Sequence, residues 1–414
     1  LHLTERHIIT NQHPWFKELD HATFLSKNLY NRANYVVREE FIKTSKEKEE
    51  GKREQANWMR THELNRMLLT DENYIALPRK VSQHVLMQVD SAWKSFFASM
   101  RSWKKSPSKF KAKPEPPRFK HKQKGRAVLV YSNQAISKMA LKKRKAIELS
   151  GVDGLSIPYQ HIGCSPIEAR IVPCFRTGRI IIEVVYEKQP IHHDHIGKNL
   201  HLAIDLGVNN LMALTSDKPG FIPALVNGRP LKSINQFYNK RRAKLQSMLP
   251  EGQKTSKRLR RLFAKRSNKL HHEMHHASKL VIDICLKHGI GSIIIGKNDG
   301  WKQGVNIGKR NNQNFVSIPF DKLLSQIEYK AALQGIDVKV REEAYTSKCS
   351  FLDQEPIRKH ETYAGRRVKR GLFRADDGRL INADINGSYN ILRKEVPAAF
   401  AKGIEAVVVR PKCV

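Results

Sequence analysis

Two aspartates stand where folding alone gives little reason for them. Asp205 ends the apolar run LHLAI and precedes LGVNN. An aspartate in a buried strand is costly unless it is paired or holds a metal. Gly207, two residues on, lets a substrate or another backbone come close. Asp384 opens INADINGSYNILRK, where Ile385, Tyr389, Ile391 and Leu392 mark one face of a helix. Taken singly, Asp384 reads as a helix N-cap, while for Asp205 a turn cap at the strand end is the lesser alternative. Taken together they suggest more, because Asp205 needs a partner and Asn386 and Asn390 share one side of that helix, one turn apart. Carboxylates drawn from distant segments to one sheet edge hold Mg²⁺, which prefers oxygen ligands. Two such ions serve phosphodiester hydrolysis without a covalent nucleophile.

A competing motif lies in KLHHEMHHASK. His272, Glu273 and His276 match HExxH, the helical signature of zinc peptidases. The segment is histidine-rich, which makes an accidental match the plainer reading, and no third ligand is signalled downstream. A zinc metallopeptidase is the alternative from another class. It gives no account of the charge.

The charge is large. The 414 residues hold 75 Lys and Arg against 39 Asp and Glu, a formal +36. A chain this basic repels itself unless it meets a polyanion, so nucleic acid is the leading partner. The excess is spread over the whole length, and no single basic amphipathic helix points to a membrane surface. With 40% hydrophobic residues the chain is not a disordered basic tail. Five scattered cysteines fit a reducing cytoplasm better than a disulfide framework. No apolar run nears the roughly 20 residues of a membrane helix. The opening LHLTERHIIT lacks the apolar core of a secretory signal.

Around these residues the pattern changes three times. Residues 3–10 read as a strand and 17–102 as helices, with Pro78, Val81, Val85, Val89 and Trp93 forming a core stripe. The segment SWKKSPSKFKAKPEPPRFKHKQKG mixes Pro, Lys and Arg with Trp103, Phe110 and Phe119, a composition suited equally to base stacking or to a solvated linker. Lys80, Lys94, Arg101, Lys104, Lys105, Arg118, Lys120 and Lys122 are the candidate nucleic-acid contacts. From 127 to 188, AVLVY, IELS, GLSIP, ARIVPCF and RIIIEVVYE read as strands of a small barrel or open sheet. His192, His193 and His195 follow in a linker and read as exposed rather than metal-binding. From 199 onward, three strands, two long helices, the strand SIIIG, a helix, a strand over 336–343 and a last helix match the order of a ribonuclease H-like α/β layer.

IDLGVNN and NADINGSYNILRK closely resemble the first and third RuvC motifs of TnpB proteins, relatives of type V CRISPR effectors. LPRKVSQHVLMQVDSAWKSFF resembles that family's N-terminal recognition helix and PPRFK the loop after it. NGRPLKSINQFYNKRRAKLQ and HHASKLVID resemble the helices between the nuclease motifs, and YTSKCS the entry to the zinc ribbon. The resemblance implies a multidomain fold with α/β, all-α and all-β parts: a wedge β-barrel with an inserted helical recognition lobe, then a RuvC domain with a degenerate zinc-ribbon insert. The implied boundaries are 1–16 and 104–195 for the barrel, 17–103 for the lobe, 196–344 and 383–396 for the nuclease, 345–382 for the insert and 397–414 for a tail. Asp205 and Asp384 would be ligands of two Mg²⁺ ions, with Mn²⁺ a substitute. The partners would be a guide RNA from the transposon end and target double-stranded DNA, with no membrane. The setting would be the prokaryotic cytoplasm, at the nucleoid when bound. Oligomeric state is left open.

Two departures stand out. The family's second motif ends its fourth strand with Glu, whereas SIIIGKNDGWKQ has Gly296 there, followed by Lys297. Either the nuclease is inactive, leaving an RNA-guided DNA-binding protein, or a carboxylate comes from elsewhere. The resemblance places a fifth strand parallel to the fourth, so its end points at the same site. It carries Glu342 and Glu343, of which alternation lets only one face the metals. Glu343 is preferred, and Asp299 is a weaker candidate. The zinc ribbon, second, keeps Cys349 with only His360 as company, too few ligands for a structural zinc. No structural zinc is expected. Phe351, Leu352, Tyr363, Leu372 and Phe373 would give the insert an apolar core instead.

Overall fold

The structure, a computed structural model, describes residues 1–298, 300, 301, 306, 308–401, 403, 404 and 407–414. The chain divides into two units, His2–Lys188 and Gln189–Val414. In the first, β1 (His2–Ile9) leads into the 34-residue α1 (Phe16–Glu49), the short α2 (Thr61–Leu68) and α3 (Glu72–Ile75), and α4 (Arg79–Lys105). The α4 stripe of Val81, Val85, Val89 and Trp93 is fully buried, each side chain stabilising by about 1.5–3 kcal/mol. Pro78 stands at its N-cap. The Trp93 indole N–H donates to Asn34 Oδ1 of α1 at 2.9 Å, which satisfies a polar group inside this core.

After these come β2 (Leu129–Ser132), α5 (Lys138–Arg144), β3 (Ala146–Ile147), β4 (Ile157–Pro158), β5 (Pro166–Cys174) and β6 (Arg179–Glu187). Four strands pair antiparallel in the order β1-β6-β5-β2, and β3 pairs only with β4. Among the described residues these four form an open sheet, one of the two forms, small barrel or open sheet, that the strand pattern allows. β2 has four residues, and IELS and GLSIP contribute a ladder of two residues each, too little strand to join the β1 and β2 edges. Leu19 and Leu29 of α1, the α4 stripe and Ile171 and Ile182 of the sheet share one core.

The Pro- and Lys-rich segment is a strap bound along α1. Asn31 exchanges hydrogen bonds with the Lys120 backbone, Asn34 and Arg38 donate to Pro117 O, and Lys27 donates to Lys122 O.

In the second unit, β7 (Gly197–Leu206), β8 (Asn210–Ser216) and β9 (Ala224–Asn227) form an antiparallel meander. α6 (Arg229–Ser247) and α7 (Lys257–His288) lead to β10 (Ile290–Gly296), parallel to β7. α8 (Lys309–Ser317) and α9 (Phe320–Leu333) lead to β11 (Asp337–Arg341), parallel to β10. A small sheet of β12 (Arg366–Lys369), β13 (Leu372–Arg374) and β14 (Leu380–Asn382) precedes α10 (Ala383–Glu395), and β15 (Lys412–Cys413) adds to β9. The large sheet runs β11-β10-β7-β8-β9-β15. The side-by-side parallel pair β10 and β11 is the arrangement the sequence reading required. α8, the small sheet and β15 were not anticipated.

Strand alternation sends neighbouring residues to opposite sides of this sheet. Leu202, Ile204, Met212, Leu214, Ile293 and Ile295 pack with α7 and α9. Ala203, Ala213 and Ile294 pack with Ile385, Tyr389 and Ile391 of α10. None of the described helices is long and apolar enough to cross a membrane.

Candidate active site

Asp205 follows Ala203 on the α10 side of β7. There α10 comes close because Gly387 has no side chain: a Cβ at that position would lie 2.7 Å from Asp205 Oδ2. Ser388 sits just beyond, with its Oγ 3.1 Å from Ala203 O and 3.0 Å from Ala213 O. Small residues on both partners thus press the start of α10 onto the sheet at the aspartate.

Asp384 lies in the first turn of α10, but it is not the cap. The Asn382 side chain accepts from the Asp384 and Ile385 amides and takes that role. The Asp384 carboxylate is left for other partners: Asn210 Nδ2 donates to its Oδ2 at 2.7 Å, and Arg367 stands 3.6 Å from its Oδ1. Asn386 and Asn390, associated with Asp384 in the sequence, face the insert instead. Asn386 bonds the Phe351 amide and Cys349 O, and Asn390 donates to Thr346 O and Cys349 O.

Gly296 shares the α10 side with Ile294. A Cβ there would meet Ile391 Cδ1 at 2.4 Å and Glu343 Oε2 at 3.1 Å. The Glu343 carboxylate therefore occupies the region into which a side chain at 296 would project. Asn298 fixes it from both ends: Asn298 Oδ1 accepts from the Glu343 amide at 3.0 Å and Asn298 Nδ2 donates to Glu343 Oε1 at 3.4 Å. Glu342 turns the other way. Its side chain is 73% exposed, 4.0 Å from Lys394 Nζ. The chain leaves the β11 ladder after Arg341, so strand phase no longer governs where these two glutamates point. Asp299 lies outside the described residues.

Asp205 feels the other two acids. Burial pushes the Asp205 carboxyl well above its ordinary range, and the charges of Glu343 and Asp384 push it further, partly offset by Arg367. Burial also raises Glu343. As they stand, the acids face a common space without closing on one point: among the described residues no group of three or more His, Cys, Asp or Glu is close enough to hold a metal ion. All the donors are oxygens, the set a hard cation takes. The missing side chains at 296 and 387 let Ile391, Glu343 and Asp205 approach the backbone closely. Asn298, Asn210 and Arg367 were not found from sequence. Arg367 reaches the site only because β12 of the insert brings it there.

The other candidates fall elsewhere. His272 and His276 are exposed on α7, while the pair that meets is His271 and His275, with Nε2 atoms 3.1 Å apart. His193 pairs with Gln334 and His195 with Leu286 O. Cys349 is buried with its thiol directed at Pro356 O and Arg358 O, and burial raises its pKa. Within the insert, Glu355 accepts from the Ser350 and Ala364 amides. Phe351, Leu352 and Phe373 do bury, in a core shared with α10. Of the basic candidates, Lys80, Arg101, Lys104, Lys105 and Lys122 are exposed. Lys94 pairs with Asp90 and Arg118 with Glu115. Lys120 lies over the Tyr30 ring, where burial lowers its pKa.

Comparison with known proteins adds two family matches. The model described as "Probable transposase" (OrfB_IS605) matches residues 183–302, and the model of the Cas12f1-like TNB domain matches 320–391. A TnpB-like protein of Acidianus two-tailed virus is 24% identical over 92% of this chain and 84% of its own length. A TnpB-like protein of Methanocaldococcus jannaschii is 27% identical over 42% of this chain and 64% of its own. A cryo-EM structure of a Cas12f1–sgRNA–target DNA complex shares the fold, with a TM-score of 0.53 and 14% identity over 89% of this chain and 82% of that one.

Proposed function

Since the chain belongs to the TnpB family, a transposon-associated family of RNA-guided nucleases related to the type V effectors, we propose that it is an RNA-guided DNA endonuclease with Asp205, Glu343 and Asp384 at its cutting centre. It takes a guide RNA from the transposon end and cuts the double-stranded DNA with which the guide pairs, in the prokaryotic cytoplasm. One observation supports the reading: where the glutamate is missing at the end of β10, the Glu343 carboxylate comes within 3.1 Å of the position a Cβ at Gly296 would take, beside Ile391.

Asp205, Glu343 and Asp384 would hold two Mg²⁺ ions, or Mn²⁺ in their place. Bound there, such ions polarise the scissile phosphate and supply an acidified water. The rest falls to the chain. Asn298 and Asn210 restrict the Glu343 and Asp384 carboxylates, as the outer partners of ligand groups do. Arg367 offers its charge beside Asp384, where a phosphate would lie. Asp205, whose charged form is opposed by the charges of Glu343 and Asp384, gains from any cation placed among them.

A second reading is a guided binder that does not cut. It draws on the absence, among the described residues, of an acidic group closed tightly enough to hold a metal. Cleavage of a guide-matched plasmid by the chain loaded with its RNA separates the two. The endonuclease reading expects cutting that needs Mg²⁺, stops in chelator and is lost in Asp205→Ala while guide-dependent DNA binding persists. Guided binding by the wild type with no cutting at any Mg²⁺ concentration favours the second reading. Loss of RNA binding in Asp205→Ala contradicts the role given to that residue.

A further inference from the structure

α6 and the first half of α7 carry an unusual charge. From Arg229 to Lys269 there are fourteen Lys and Arg residues and one acid, Glu251. The two helices pack together around a cavity of about 270 Å³, walled by Ile234, Phe237, Tyr238 and Leu262, with Lys265 and Lys269 at its rim. Phe237 is 59% exposed, although apolar neighbours surround it. Arg266 is committed internally: its guanidinium donates to Asn235 Oδ1 and Ser317 O and lies 4.9 Å over the Tyr238 ring. Lys265 and Lys269 are exposed.

An exposed aromatic ring edged by cations suits a polynucleotide, whose base stacks while its phosphates meet the ammonium groups. Like charge argues against a second copy of this hairpin docking there. Position argues for the strand that is cut. The Gly228 amide donates to Asn209 O, and Lys232 Nζ donates to Asn209 Oδ1, both at 2.7 Å. The next residue, Asn210, holds Asp384. α6 therefore starts at the turn beside the carboxylates. Phe237 lies eight residues past Arg229, roughly 12 Å along the helix, on the order of three or four stacked nucleotides of one strand.

We propose that this cavity takes one unpaired base of the DNA strand being cut, stacked on Phe237, with Lys265 and Lys269 on the flanking phosphates. The inference rests on the reading that a DNA strand reaches the carboxylates, but not on cutting itself. The test uses the full chain loaded with guide RNA and carrying Asp205→Ala, so that failure to cut does not enter. Its probes are a labelled oligo(dT) strand and an abasic strand of the same length.

Adding Phe237→Ala should weaken oligo(dT) binding about ten-fold and leave the abasic strand unchanged. Phe237→Trp should keep the difference between the two probes. Lys265→Ala with Lys269→Ala should weaken both probes and lower the salt dependence. Equal effects of Phe237→Ala on both probes, or none on either, overturn the proposal. So does a loss confined to guide RNA loading, which would make the stacked base an RNA base.

Discussion

The two sides of the six-stranded sheet are built by adjacent residues of the same strands, yet they are unlike. On the α7 and α9 side, Leu202, Ile204, Leu214, Ile293 and Ile295 are bulky and buried. On the α10 side the same strands offer Ala203, Asp205, Ala213 and Gly296 beside the one bulky residue Ile294, against Gly387 and Ser388 of the helix. The first side stabilises by burial. The second gives up side-chain volume, and the space released admits carboxylates. The α10 side thus joins a buried core of its own to the candidate carboxylates, one step along each strand from the fully apolar side.

The sharpest way to break that contrast is at the end of β11. Glu343→Ala is expected to take guided DNA cutting below detection, and Glu342→Ala to leave it within about two-fold, since a solvent-facing charge contributes little. Plasmid cleavage at matched RNA loading reads both. If Glu342→Ala alone stops cutting, the α10 side has been assigned the wrong acid. On the other side, Ile293→Ala should destabilise by about 2–5 kcal/mol. At a temperature where the variant is folded, cutting per folded molecule should be unchanged. Denaturant melts beside cleavage rates would show whether stability and activity separate as claimed.

The smallest effect expected is electrostatic. Asp205 and Glu343 hold their protons to higher pH folded than unfolded. Between the unfolded value of about 4 and the raised folded value the native state binds more protons, so stability falls as pH rises through that window. Without divalent cations the thermal midpoint should therefore drop on leaving acid pH. Asp205→Asn should flatten the drop, and Mg²⁺ should reverse it in the wild type alone. An Asp205→Asn chain with the same pH slope as the wild type would remove the claim that Asp205 holds its proton to higher pH in the folded state.

Asp205 was legible in the sequence because it interrupts an apolar run, and Asp384 because Asp205 needs a partner and its segment resembles a nuclease motif. The pairing of β10 with β11 was legible only through the family resemblance, which implies it, and not from strand order. The choice between Glu342 and Glu343 was not, because alternation holds only while the ladder lasts and the ladder ends at Arg341. Asn298 and Arg367 carry no local signal. One acts across 45 residues and the other arrives on a small sheet whose strands are three or four residues long. The open sheet of the first unit was one of the forms the strand pattern allowed, since closure depends on pairing between strands more than a hundred residues apart. The N-cap reading of Asp384 failed because Asn382, two residues earlier, does that work.

The account turns on Glu343 standing in for the acid absent at 296. Crystals of the chain soaked in Mn²⁺, with anomalous scattering recorded at the manganese edge, test this directly. The expected result is manganese bound by Asp205 and Asp384 with a Glu343 oxygen in the coordination sphere, and weaker binding in Glu343→Gln. Manganese held without Glu343, or no manganese near Asp205 at all, would contradict it.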